Sequence, residues 1–563
     1  VEVTKWVRQQ SDLDKVPIGY FGASTGAAAA IEATAKLIES EKIYSIVSRG
    51  GRPDLANDFL KLIKTPTLLL VGARDTEVIE LNKKSQKLLS NSKMTIIQGA
   101  SHLFEEVGTL EEVSQQAIKW FTEHLNEVKA EVRPDVRPDG NLEEAISKEM
   151  IRITKFDDLD PLIQSIKQAR VVMLGEASHG TSEYYRLRSE ISKRLIRDHG
   201  FKFIAVEGDW PDAYRLDKYL KTGEGVNAKN VLKHNHRWPI WMWANEEILS
   251  LAEWLKNKNI GFYGLDVYSL FESMDEISKY LKANYPKIAT EVEKLYSCFA
   301  PYEQNEISYA RSLAQHLAGC QSEVLLVLEK LLKLRLEEQN KDSDELFSAQ
   351  QNAHIIANAE SYYRSMLEAN SSSWNIRDGH MMETLDRLLE RSGEGGKAIV
   401  WAHNTHIGDY RATDMKANGY INLGGLARLS YGDENVALVG FGSYHGEVLA
   451  SLAWGGSEKK MVLPPAKEGS YEDFFHKASL KEKVNQFYII FNEKNRDQFK
   501  SKIGHRAIGV VYDADHESRG NYVPTVLSER YNSFIYIDKT SALKSLRTVN
   551  VRGEFPETWP SGV

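Results

Sequence analysis

Short apolar runs alternate with amphipathic stretches along most of the chain, the pattern of strand–helix–strand units wound on a parallel sheet. In the first part Val16–Phe21, Tyr44–Ser48, Thr67–Val71 and Met94–Ile97 predict strands, with helices such as Ala27–Glu39 and Leu110–Leu125 among them. A second series follows at Val171–Leu174, Phe203–Val206, Gly261–Gly264, Ala398–Trp401, Val436–Gly440, Phe487–Ile490, Ala507–Val511 and Phe534–Ile537. These runs are apolar throughout, so they predict strands buried on both faces. Between Leu270 and Arg391 the strand pattern lapses and helical periodicity replaces it, in Asp275–Ala283, Ser322–Gln339, Ala349–Ala369 and Arg377–Arg391. An insertion there leaves the sheet at its carboxyl edge, so these helices should wall a cleft over the strand ends.

The duplicated Arg-Pro-Asp of Arg133–Asp139 can neither continue a helix nor bury a face. The expected organisation is therefore α/β in two parts: a lobe over 1–127, a linker over 128–145, and a larger parallel-sheet domain over 146–555 with a helical block at about 270–391. Strands flanking Val16–Phe21 are expected upstream of Val1. That strand should then be an edge, covered by a preceding segment or by an oligomeric partner.

Composition narrows the function classes. At 563 residues the chain is too long for one core, and 42% hydrophobic with 27% charged residues is globular. No apolar run approaches the ~20 residues that cross a bilayer, so no membrane role is expected. The net charge of −8 carries no basic tract, which excludes a nucleic-acid footprint. Cys298 and Cys320 lie in helix-like sequence and suggest neither a disulfide framework nor a thiolate metal site; a reducing, cytoplasmic setting is expected.

Gly22-Ala23-Ser24-Thr25-Gly26 sits between a strand and an Ala-rich helix, the context of a nucleophile elbow. Asp75 and His102 each follow a strand, in the order Ser, Asp, His of α/β-hydrolases. With Gly72-Ala73-Arg74-Asp75 and Gly99-Ala100-Ser101-His102, these residues resemble the C-terminal half of a dienelactone-hydrolase-like domain. The resemblance covers Val1 to about Leu125. It implies a second site at Ser24, Asp75 and His102, but the loop that would supply the second oxyanion amide is missing. A non-catalytic scaffold is the alternative for this lobe.

In the larger part, polar residues follow strand after strand: Glu176 and His179 after Val171–Leu174, Glu207 after Phe203–Val206, Asp266 after Gly261–Gly264, and His403 and His406 after Ala398–Trp401. Ligands bind at the carboxyl ends of parallel strands, so these groups predict one shared site. Gly-Glu-Ala-Ser-His-Gly at 175–180, Val-Glu-Gly-Asp-Trp at 206–210, Arg377-Asp378 with Met381, Trp-Ala-His-Asn-Thr-His at 401–406 and Arg506–Val510 resemble the erythromycin esterase family. That resemblance implies a catalytic cluster of Glu176, His179, Arg188, Glu207 and His403, with hydrolysis of a carboxylic ester or lactone and no cofactor.

The residue types agree. One imidazole can deprotonate water, a carboxylate can hold its tautomer, and a second imidazole can polarise a carbonyl. Ser178 lacks an elbow and is not expected to be a nucleophile. Asp266, His406 and Arg377 are expected in the surrounding shell. In Trp238-Pro239-Ile240-Trp241-Met242-Trp243, Trp241 and Trp243 are candidates for the apolar wall of a substrate pocket. The alternative use of the same cluster is a divalent metal at Glu176, His179, Glu207 and His403, or haem binding.

Overall fold

A computed structural model describes residues 1–8, 17–37, 43–106, 108–132, 141–223, 227–235, 237–302, 304–314, 319–337, 343–366 and 371–546. The chain divides into two compact units, Val1–Arg137 and Pro138–Val563. Residues 133–140 of the expected linker lie outside the described residues. The remainder is helical: the helix Thr109–Val132 runs through 128–132, and the helix Asn141–Glu149 takes up 141–145.

The first unit carries β1 (Ile18–Ala23), β2 (Ile43–Arg49), β3 (Thr67–Gly72) and β4 (Ser92–Ile97), parallel and in sequential order. Alternate residues serve opposite faces: Ile46 and Leu69 join one core, Val47, Leu68 and Leu70 the other. Among the described residues β1 pairs on one side only, with β2.

The second unit is built on β5 (Ile151–Arg152), β6 (Val171–Leu174), β7 (Phe203–Val206), β8 (Gly261–Gly264), β9 (Ala398–Trp401), β10 (Val436–Ala450), β11 (Lys459–Leu463), β12 (Gln486–Ile490) and β15 (Ser533–Thr540), with β13 (Lys502–Arg506) and β14 (Tyr522–Val526) as a separate hairpin. The sheet order is β5-β12-β15-β10-β6-β9-β7-β8, with β11 on β10. Strands from β15 to β8 are parallel, as expected; β12 and β5 add antiparallel pairings at one edge, and β11 pairs antiparallel with the far end of the central strand β10. The expected strand Ala507–Val511 is instead an extended segment held by single bridges, Ser178 to Ile508 and Ser451 to Val511.

Why the central runs are unbroken apolar sequence is now plain. Val172, Leu174, Ile399 and Trp401 pack on one face of the sheet, and Val171, Met173, Ala398 and Val400 on the other. Each Val, Leu, Ile or Met among them, removed from water, stabilises the fold by about 1.5–3 kcal/mol.

Between β8 and β9 stands the helical block, which includes Leu270–Asn284, Gln321–Glu337, Asp344–Ser365 and Ser372–Arg391, and it has a core of its own. Within it Cys298 and Cys320 form a disulfide, their Cα atoms 5.9 Å apart. The two cysteines predict no disulfide framework, and this single bridge removes the premise for a reducing setting. The pairing depends on how helices fold back on one another, which the intervening sequence does not display. Among the described residues no helix is long and apolar enough to cross a membrane.

Candidate active site

The sheet register brings the site together. Leu174, Trp401, Val206 and Gly264 end four neighbouring strands and lie side by side, Leu174 and Val206 opposite Trp401 and Val206 opposite Gly264. Whatever follows them in sequence emerges on one edge. Glu176, His179, Glu207, Asp266, His403 and His406 do so, and all are buried.

Glu176 lies between two partners. Its Oε1 meets His179 Nδ1 at 3.0 Å and its Oε2 accepts from Arg188 Nη2 at 2.7 Å. Arg188 points inward from the helix Ser182–His199, fully buried between the rings of Tyr185 and Trp401. Two side chains thus fix the carboxylate, and through it the His179 ring.

Opposite stands His403, its ring centroid 4.9 Å from that of His179. Glu207 Oε2 accepts from the His403 backbone N–H at 2.8 Å, and His403 Nδ1 lies 2.8 Å from Thr405 Oγ1 and 3.3 Å from the Thr405 N–H that donates to it. Nδ1 therefore acts as an acceptor and the proton sits on Nε2, which is buried and makes no well-formed hydrogen bond, although the Ala177 carbonyl lies near the ring. Burial, with His179 and His406 close by, pushes the His403 imidazole well below its ordinary value and keeps it neutral.

Behind this pair lies a charged network. Arg377 donates to Asp266 Oδ1 and Oδ2 (2.9 and 2.7 Å) and to Glu207 Oε1 (2.7 Å), with its Nη1 3.0 Å from His406 Nε2. His406 Nδ1 meets both oxygens of Asp378 at 2.9–3.0 Å, and the ring stacks on Trp374. Burial opposes charge on Glu207, but His406, Arg377 and His179 outweigh it and hold the carboxyl well below its usual range. Burial likewise opposes charge on His406, yet Asp378 and Glu207 raise it to about 9. The sign of the pH effect follows. A histidine raised on folding contributes stability that is full below its ordinary value, declines above it, and is gone once the pH has passed about 9. Urea denaturation across this range should show that decline in the wild type and a flatter profile in His406→Gln.

The cleft above these groups encloses about 110 Å³. His179, His403 and His406 line it at the strand ends, Trp238, Ile240, Met242 and Trp243 form one wall, and Ile307, Tyr362, Tyr363 and Met366 of the helical block form another. Trp243 donates from Nε1 to Glu207 O at 3.0 Å, an approach that needs glycine at 208, where a Cβ would lie 2.6 Å from that nitrogen. Trp241 does not line the cleft. It is 1% exposed and packs in the core.

Ser178 bonds Thr181 Oγ1 at 2.5 Å, as a residue of a tight loop. Sequence reasoning missed Thr405, Asn404 and Asp378, although all three stand inside quoted motifs, next to residues that were singled out. Among the described residues no group of three His, Cys, Asp or Glu side chains could hold a metal ion. The donor set proposed for a divalent metal does not fit, since Arg188 and Arg377 already engage Glu176 and Glu207.

In the first unit, Asp75 Oδ2 meets His102 Nδ1 at 2.5 Å, and Ser24 holds φ +50° at the turn between β1 and the helix Thr25–Leu37. Gly22 is required, because a Cβ would lie 2.5 Å from Gly26 O; Gly26 itself faces open space. Among the described residues no hydrogen bond joins Ser24 to His102, so two members of the expected triad are coupled and the third is not.

A family model described as Erythromycin esterase matches residues 196–540. The match holds Glu207 and His403; Glu176, His179 and Arg188 precede it. An erythromycin esterase type II of Escherichia coli is 23% identical over 350 residues, 56% of this chain and 80% of that protein. A Mycobacterium tuberculosis protein named as a phosphoribosyl transferase is 49% identical over 126 residues, 22% of this chain, and the chain spans only 28% of its length. A solved Bacillus cereus protein shares the fold at a TM-score of 0.60 and 22% identity, over 72% of this chain and 98% of that one. A dienelactone hydrolase of Anabaena variabilis is 45% identical over 22% of this chain and 56% of its own, with a TM-score of 0.21.

Proposed function

Because the chain belongs to the erythromycin esterase family, we propose that it hydrolyses a carboxylic ester or lactone by histidine-activated attack of water. The observation that carries this reading is the His403 Nε2–H, buried beside His179 in the cleft with no well-formed hydrogen bond, the Ala177 carbonyl being only loosely placed to accept from the ring. Such a donor suits a substrate carbonyl oxygen. Glu176 accepts from the His179 Nδ1–H, so in the neutral form of that ring Nε2 carries the lone pair that can accept a proton.

The step balances. His179 Nε2 takes a proton from water as the water oxygen bonds the carbonyl carbon, and His403 Nε2–H stabilises the oxyanion. Collapse breaks the carbon–oxygen bond to the leaving group, and the leaving alkoxide takes the proton back from His179. Glu176, anchored by Arg188, offsets the transient imidazolium charge. Glu207 holds the His403 backbone and is itself neutralised by Arg377 and His406, so its part is to place His403.

A panel of aryl esters and lactones, erythromycin included, run in ¹⁸O water under single turnover tests the proposal. One ¹⁸O should enter the acid product with no acyl-enzyme adduct on the protein. A covalent adduct, or no turnover of any ester or lactone, would sink it.

The cleft walls give a second expectation. Trp243→Ala should raise KM for bulky esters about tenfold while acetyl esters stay within about twofold, since only a large substrate loses the ~1.5–3 kcal/mol of apolar contact. Trp241→Ala should destabilise by about 3–5 kcal/mol with no such discrimination. Equal KM losses for both substrate sizes in Trp243→Ala would return that residue to a packing role.

A further inference from the structure

The His505–Val510 segment takes no part in the chemistry above, yet it touches both loops that carry the histidines. The Ile508 N–H donates to Ala177 O at 2.8 Å, inside the Glu176–His179 loop. His505, fully buried at the end of β13, reaches the other loop, its Nε2 lying 3.2 Å from Nδ2 of Asn404, the residue after His403.

Asn404 is the joint between the two loops. Its backbone N–H donates to Glu176 O at 2.9 Å, and its carbonyl accepts from Arg530 Nη2 at 2.9 Å. Its Nδ2 donates to Phe441 O at 2.7 Å while its Oδ1 accepts from Phe441 N at 3.3 Å, and this double contact fixes which amide atom is the nitrogen. Room for the side chain exists only because residue 175 is glycine, where a Cβ would lie 2.1 Å from Asn404 Oδ1.

An amide nitrogen donates and cannot accept, so His505 Nε2 is the acceptor and its proton sits on Nδ1. That Nδ1–H points at Glu472 Oε1, 2.6 Å away, which also accepts from the Arg506 N–H at 3.1 Å. Glu472 is completely buried. A continuous chain thus runs from Glu472 through His505 to Asn404, and from there to the backbone of both catalytic loops.

We infer that Glu472 and His505 are positioning residues, which through Asn404 set the spacing between His179 and His403. The inference rests on reading those two histidines as the reacting pair. Neither residue touches the cleft; the role is to hold a geometry in which small displacements are costly, as misplacement by about 1 Å can lower a rate 10²-fold.

His505→Leu, His505→Gln and Asn404→Asp in the full chain test it. Glutamine keeps one acceptor and one donor, and leucine neither. For an ester that the wild type hydrolyses, His505→Leu should lower kcat by about 30- to 100-fold with KM within about twofold, and His505→Gln should recover to within about fivefold. The ¹⁵N imidazole resonances of His179 and His403 should move in His505→Leu and return in His505→Gln. These resonances need no turnover, so a protein inactive on every ester would defeat the proposed function while they still decide the positioning role. Unchanged kcat and resonances in His505→Leu would overturn it, as would a loss that His505→Gln fails to restore. If His505→Leu does not fold, the near-isosteric Asn404→Asp takes its place: it sets a carboxylate against Phe441 O and His505 Nε2, the same split is expected, and an unaltered kcat would refute the inference.

Discussion

His179→Ala should lower ester hydrolysis by about 10²–10⁴-fold, the range that a positioned general base supplies. Ser24→Ala should leave the same activity within about twofold. The contrast follows from the two geometries. His179 is held by Glu176, which is locked by Arg188, and it faces a neutral His403 whose Nε2–H makes no well-formed hydrogen bond. Ser24 sits in a strained turn without a hydrogen bond to His102. The measurement is kcat/KM for both variants on one aryl ester, with circular dichroism to establish equal folding. A large loss in Ser24→Ala with His179→Ala near wild type would invert the assignment and make the first unit the working centre.

Arg377→Met should destabilise the second unit by about 3–5 kcal/mol, the usual cost of removing one partner from a buried ion pair. The guanidinium is 9% exposed and serves Asp266 and Glu207 together, so its loss leaves two buried carboxylates with His406 as the remaining cation in contact with Glu207. Methionine has similar bulk and no charge, which limits the contribution of a cavity. Urea denaturation at neutral pH gives the difference. Because the carboxyls would then resist ionisation, the deficit should shrink as the pH is lowered towards their protonation range. A variant within about 1 kcal/mol of wild type at neutral pH would mean that the network contributes little to stability, and that the acids are relieved by protonation or solvent.

Several features were legible before any coordinates. The central strands β6 to β9 were predicted with their observed bounds, because a strand buried on both faces must be apolar at every position. The meeting of Glu176, His179, Glu207 and His403 is expected because parallel strands emerge at one edge, and Leu174, Trp401, Val206 and Gly264 do end side by side. The helical block was equally visible as a change from strand runs to helical periodicity.

Other features depend on contacts between residues distant in sequence. Trp241 and Trp243 are alike in composition and two positions apart, and only the direction of each side chain puts one in the core and the other on the cleft. Cys298 and Cys320 pair because two parts of the helical block fold against each other, at a separation that no spacing rule encodes. The antiparallel edge of the larger sheet comes from a choice of neighbours, to which the hydrophobic pattern of a strand is indifferent. Residue types and strand-end positions therefore determined which groups reach the site. The tertiary structure alone decided the His403 tautomer, the charge on His406 and the linkage through Asn404, since each depends on a hydrogen bond or ion pair whose partner the chain supplies from elsewhere.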